Sequence, residues 1–97
     1  MSYFVVIRER GPGLEWSRGL TEQRLWDEHA DFMDGLVDEG FIRAGGPVGE
    51  RGWPLLIVEA EDERSVRERL ARDPWEPLEM LTEPRVERWD LRLGRLS

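Results

Sequence analysis

His29 is the single histidine in a chain of 97 residues, and Asp73 is a carboxylate set directly before a proline, Pro74. Imidazole is the one side chain whose unperturbed pKa lies near neutrality, so it can take up and return a proton under mild conditions. A carboxylate bonded to one ring nitrogen fixes the tautomer and prepares the other nitrogen as a base. The chemistry on offer is therefore proton transfer at His29, with Asp73 as its orienting partner. Each residue also has a structural reading: His29 as a core histidine satisfied by a backbone or carboxylate partner, and Asp73 as a helix terminator or Asx turn.

Three further features can surround such a pair. Gly45, Gly46 and Pro47 interrupt a strand. Glycines there mark a bulge or a close approach of backbone to another group, so the segment suits a pocket floor, although a hairpin bulge explains it equally well. Of the five tryptophans, Trp75 adjoins Asp73 and is placed near a site, while Trp16, Trp26, Trp53 and Trp89 read as core and interface material. Arg8 and Arg43, on strands, can hold a substrate carboxylate or serve ion pairing and solubility. No metal site is expected, since one imidazole with Asp27, Glu28, Asp31 and Asp34 reproduces no recognised ligand spacing. A serine triad is poorly supported, because Ser17 has no nucleophile-elbow glycines around it.

Composition narrows the chemistry further. There is no cysteine, which removes thiol nucleophiles, disulfides and thiolate metal ligation. All 14 basic residues are arginine, so Schiff-base chemistry and lysine-dependent phosphate loops are excluded. With 21 acidic residues the formal charge is −7, and the whole-molecule field repels phosphate backbones and anionic lipid surfaces. Neither nucleic acid nor membrane is an expected partner. The apolar run near the N-terminus is too short for a signal peptide and lacks a basic leader, which points to a cytoplasmic protein.

The elements that must position these residues follow from periodicity. β-Branched and aromatic residues predict a strand over 3–8, ended by the Arg10-Gly11-Pro12-Gly13 loop, with 14–20 irregular. Apolar spacings of three and four predict a helix over 22–39, with Thr21 as N-cap and Gly40 as its C′ stop. This helix carries His29 on the stripe of Leu25, Phe32, Met33 and Leu36. Strands are predicted over 41–48 and 53–60, joined as a hairpin. Asp62 caps a second helix running to about residue 72, with Val66, Leu70 and Ala71 inward and Glu63–Arg67 and Glu68–Arg72 as surface pairs. Pro74 disfavours helical geometry at Asp73. Residues 75–83 have no clear pattern, and 85–93 reads as an alternating last strand.

The order predicts an α+β fold of the ferredoxin-like βαββαβ type: a four-stranded antiparallel sheet with two helices on one face. Ninety-seven residues suit one domain. The unbroken apolar runs Phe4-Val5-Val6-Ile7 and Leu55-Leu56-Ile57-Val58 belong to the first and third strands, the central pair of that topology. Two helices cover one face only, so the other face predicts a homodimer through the open sheet face.

The run Glu28-His29-Ala30-Asp31-Phe32-Met33-Asp34-Gly35-Leu36-Val37-Asp38-Glu39-Gly40-Phe41-Ile42-Arg43-Ala44-Gly45-Gly46-Pro47 resembles the "HLaYl…L.eeGkll.aGP" core of the YCII-related proteins. Arg72-Asp73-Pro74-Trp75 resembles that family's "DPF/DPY" tail. The resemblance spans residues 3–89. It implies one YCII-related domain over 1–97, a dimeric α/β barrel related to muconolactone isomerases, and a histidine–aspartate site at His29 and Asp73. The family includes a dehydrochlorinase acting on a chlorinated hydroxyhydroquinone, which implies proton-transfer chemistry on a small cyclic or aromatic compound, of lyase or isomerase type and without a cofactor. Many members continue past the tail with small residues, whereas this chain has Glu76-Pro77-Leu78-Glu79-Met80-Leu81, so the wall beyond Asp73 differs. The alternative reading is a non-catalytic module for small-molecule binding or dimerisation, and a third is a cofactor-free oxygenase.

Overall fold

Side chains alternate across the first strand, β1 (Ser2–Ile7), so Phe4 and Val6 point to one face and Val5 and Ile7 to the other. In the computed structural model, which describes residues 1–96, β1 is followed by α1 (Trp26–Asp38), β2 (Ile42–Val48), β3 (Trp53–Ala60), α2 (Glu63–Leu70) and β4 (Arg85–Trp89). The sheet order is β2-β3-β1-β4 with every neighbour antiparallel, so the two unbroken apolar strands are central. This is the ferredoxin-like α+β arrangement, with both helices on one face.

The covered face is the core. Phe4 and Val6 of β1 meet Val58 and Ala60 of β3, Ile42 of β2 and Val86 of β4, and α1 and α2 close over them with Leu36, Val66 and Leu70. On the opposite face Val5, Ile7, Leu55 and Ile57 are only half-buried. A second, smaller cluster of Leu14, Trp75 and Met80 sits apart from the core, with Trp26, Leu78 and Leu81 packed on it.

The first helix departs from its predicted start. It begins at Trp26 rather than residue 22, Thr21 caps nothing, and residues 20–22 form a separate 3-10 turn. The reason is Gln23, which is buried and turned away from helix formation. Its amide nitrogen donates to the carbonyls of Glu15 and Arg18, and its oxygen accepts from the Glu15 N–H, tying the 15–19 loop together. The chain then enters α1 through Leu25 at φ 59°, a left-handed conformation that costs a branched side chain roughly 1–2 kcal/mol. Backbone strain thus lies one turn before His29, whose N–H donates to the Leu25 carbonyl.

Other boundaries shift less. Gly40 takes φ 82° as the stop of α1. Asp62 caps α2 by accepting from the Ser65 N–H, a bond that holds its carboxyl below the ordinary value of 3.8. That helix ends at Leu70, Ala71 is exposed rather than inward, and Glu68 pairs with Arg64 rather than with Arg72. β4 ends at Trp89, four residues short of the predicted strand end, and Leu93 is exposed.

Candidate active site

α1 presents Trp26, His29, Phe32, Met33 and Leu36 on its inner side, and His29 and Leu36 are its buried residues. Asp73 approaches from the end of α2. Pro74 cannot continue the helix, and the chain turns on Asp73 itself: its Oδ1 accepts from the Trp75 N–H at 2.9 Å, and its carbonyl accepts from the Glu76 N–H. The remaining oxygen, Oδ2, lies 2.7 Å from His29 Nδ1. Asp73 is 4% exposed, so both carboxylate oxygens are held by protein donors rather than by water.

Trp75 completes the cluster. Its indole lies flat on the imidazole, with ring centroids 3.8 Å apart and planes 5° from parallel. The indole N–H donates to the Arg24 carbonyl at 2.7 Å, and Trp26 packs at a tilt against both rings. Two constraints therefore fix the imidazole: a hydrogen bond sets the rotation of the ring in its plane, and a stacked aromatic sets the plane. An ionised Asp73 only accepts, so Nδ1 carries the proton in the neutral ring and Nε2 is left with its lone pair. Among the described residues no buried side-chain nitrogen or oxygen lacks a partner, and Nε2 has no protein partner, so it must reach open space.

His29 and Asp73 line a cavity of about 350 Å³ together with Met33, Leu56 and Leu81. Single-ring compounds suit a volume at the low end of the ~300–1,000 Å³ usual for ligand sites. Gly45, Gly46 and Pro47 line it too, and the two glycines do different things. A Cβ on Gly45 would fall 2.7 Å from Leu56 Cδ2 and 3.1 Å from the Leu55 carbonyl oxygen, so its bareness serves the close approach of β3. A Cβ on Gly46 would meet nothing within 4 Å, which leaves the cavity open above it. Depressions of about 410 and 570 Å³ elsewhere contain neither member of the pair.

The other site expectations divide. Trp75 lines the cavity, but its flat face is occupied by His29. Arg8 also lines it and is 6% exposed, yet its guanidinium is committed: NH1 lies 2.6 Å from Glu76 Oε1, and Nε donates to the Thr82 carbonyl. Arg43 stands outside the cavity, at the irregularity between Ile42 and Ala44, and pairs with Glu59 at 2.9 Å. Arg10 and Leu20 reach the cavity from the 8–25 segment, where no periodicity marked them, whereas Met33 and Leu56 were legible as inward residues. Among the described residues no three histidine, aspartate or glutamate side chains converge to hold a metal ion, and no helix is long and apolar enough to cross a membrane.

No family model matches the sequence, and no curated protein matches it. Among solved structures, the chain is similar to 5-chloro-2-hydroxyhydroquinone dehydrochlorinase (TftG) from Burkholderia phenoliruptrix AC1100, in complex with 2,5-dihydroxybenzoquinone. The two share 26% identity with a TM-score of 0.62 over 91% of this chain and 93% of that one. The likeness runs nearly end to end and supports the fold of the dimeric α/β barrel superfamily for this chain.

Proposed function

We propose that this chain is a cofactor-independent acid–base catalyst acting on a small hydroxylated ring, with His29 Nε2 as the proton-transfer atom and Asp73 as its orienting partner. The observation that carries the reading is the division of labour on one imidazole: Nδ1 is bonded at 2.7 Å to a buried carboxylate, which leaves Nε2 as the free nitrogen of a histidine that lines a cavity of ring size. The similarity to TftG suggests the kind of reaction, loss of hydrogen chloride from a chlorinated hydroxyhydroquinone. Such an elimination balances internally. A proton moves from a ring hydroxyl to the carbon bearing chlorine, then a second hydroxyl proton and chloride depart, leaving a quinone with no external oxidant. One base that accepts and returns a proton can serve both steps.

Because there is one histidine, its ring nitrogens are assignable by NMR without ambiguity. The reading expects a proton on Nδ1 directed at Asp73, and an Nε2 resonance that moves when 2,5-dihydroxybenzoquinone is added. An Nε2 signal indifferent to that compound and to a panel of hydroquinones would remove the reading. The rival is a purely structural His29–Asp73 tie between α1 and the end of α2, favoured by the near-complete burial of Asp73 and the flush stack on Trp75.

We further infer a single YCII-related domain that assembles as a homodimer through the open sheet face. Support comes from the paired motifs ending in Gly45-Gly46-Pro47 and Asp73-Pro74-Trp75, and from Val5, Ile7, Leu55 and Ile57, which lie side by side and half-buried with no helix over them. Sedimentation at micromolar concentration is expected to give twice the 11.4 kDa chain mass. Ile57→Asp, which places a charge at the centre of that face, is expected to halve it. A wild-type mass of 11.4 kDa contradicts the dimer.

A further inference from the structure

Two arginines line the cavity that His29 faces, and they are not equivalent. Arg8 is neutralised by Glu76 and fastened to the Thr82 carbonyl. Arg10 forms no ion pair among the described residues. Its backbone is pinned by a bridge to Leu81, and its guanidinium lies over the Trp16 ring, 5.1 Å from the centroid. A guanidinium held over a ring by cation–π attraction keeps N–H donors available to acceptors beside it. Trp16 is 70% exposed and, with Arg10, Glu9 and Glu50, lines a neighbouring depression of about 570 Å³, so Arg10 stands between that depression and the His29 cavity.

The charge balance gives this arrangement a use. The chain carries −7 overall and repels anions at a distance, so an anion bound in the cavity needs a local countercharge. Of the two carboxylates on the cavity, Asp73 is bonded to His29, and Asp34 is exposed on α1. Apolar walls at Met33, Leu56 and Leu81 lower the local dielectric and strengthen a charge-assisted contact. A hydroxyl on a quinone ring is a vinylogous acid and is ionised at neutral pH, whereas a simple hydroquinone is not.

We propose that Arg10 is the anion-recognising residue of this cavity and holds the ionised hydroxyquinone that the elimination leaves, in preference to neutral rings. The proposal rests on the reading of the cavity as the acid–base site. The test is calorimetry at pH 7 with 2,5-dihydroxybenzoquinone as the anionic probe and hydroquinone as the neutral one, on wild type, Arg10→Gln and Arg10→Lys. Wild type is expected to bind the anionic ring more tightly. Arg10→Gln should weaken that binding by about 10- to 100-fold and leave hydroquinone unchanged, while Arg10→Lys recovers most of the loss. Equal affinity of wild type for the two rings, no effect of Arg10→Gln, or an equal loss for both rings overturns the role of Arg10 and leaves the acid–base reading standing. A wild type that binds neither ring overturns both.

Discussion

His29→Asn is expected to lose about 10²- to 10⁴-fold in turnover while remaining folded. An asparagine amide occupies roughly the place of Nδ1 and still donates to Asp73 Oδ2, so the buried carboxylate keeps a donor. What disappears is Nε2, the nitrogen not bonded to Asp73, along with the ring that stacks on Trp75. The lost stack is worth about 0.5–1.5 kcal/mol, a fall in Tm of several degrees in a domain of this size. Asp73→Asn is the complementary change. Its amide oxygen still accepts from the Trp75 N–H, but its NH₂ now faces Nδ1 and stabilises the tautomer protonated at Nε2, so the base is blocked without removing a ring. A catalytic pair predicts two folded, inactive proteins. A structural tie predicts that the loss in each variant appears in Tm and that ligand turnover, measured by chloride release or quinone absorbance, tracks only the folded fraction. Turnover in His29→Asn within a few-fold of wild type contradicts the catalytic assignment.

How far the sequence discloses this molecule depends on whether each signal was periodic. The strand order, the central position of Phe4–Ile7 and Leu55–Val58, and the stop at Gly40 were legible because alternation, unbroken apolar runs and a positive-φ glycine are local statements. Asp73 was legible as a partner for His29 because Pro74 disfavours helical geometry at Asp73, just past the end of the second helix, where the chain turns and the carboxylate meets the ring. The start of α1 was not, since Gln23 is removed from the helix by hydrogen bonds to Glu15 and Arg18 that no spacing encodes. Arg43 and Arg8 carry only the signal of lying on predicted strands. Their occupancy depends on Glu59, and on Glu76 together with the Thr82 carbonyl, contacts made across the fold. Arg10 opens the predicted Gly11-Pro12-Gly13 loop, and it acquires its position only when residues 9–13 pair with 79–82.

That pairing makes Gly13→Ala the substitution with the largest expected cost in stability. Gly11 N–H donates to the Met80 carbonyl, Gly13 N–H to the Glu79 carbonyl, and Thr82 N–H to the Glu9 carbonyl, so the chain after β1 runs in register against the chain before β4. The approach is close enough to exclude a side chain: a Cβ on Gly13 would fall 1.7 Å from the Leu78 carbonyl oxygen. Backbone, unlike the tip of a flexible side chain, has no cheap way to yield. Overpacking costs about 1–3 kcal/mol, and parting the Gly13–Glu79 hydrogen bond adds about 1 kcal/mol. A total near 3 kcal/mol lowers Tm by roughly 10–20 °C. The damage is expected to reach the site, because Leu14, Trp75 and Met80 form one cluster and Trp75 supports the imidazole. His29 resonances should broaden or shift even though Gly13 touches neither His29 nor Asp73. Gly35→Ala, in the interior of α1 with nothing within 4 Å of the added carbon, is the control of opposite sign and should raise stability by about 0.5–1 kcal/mol. If both glycine variants melt together with wild type, the seam between 9–13 and 79–82 is not what holds the Trp75 cluster beneath the histidine.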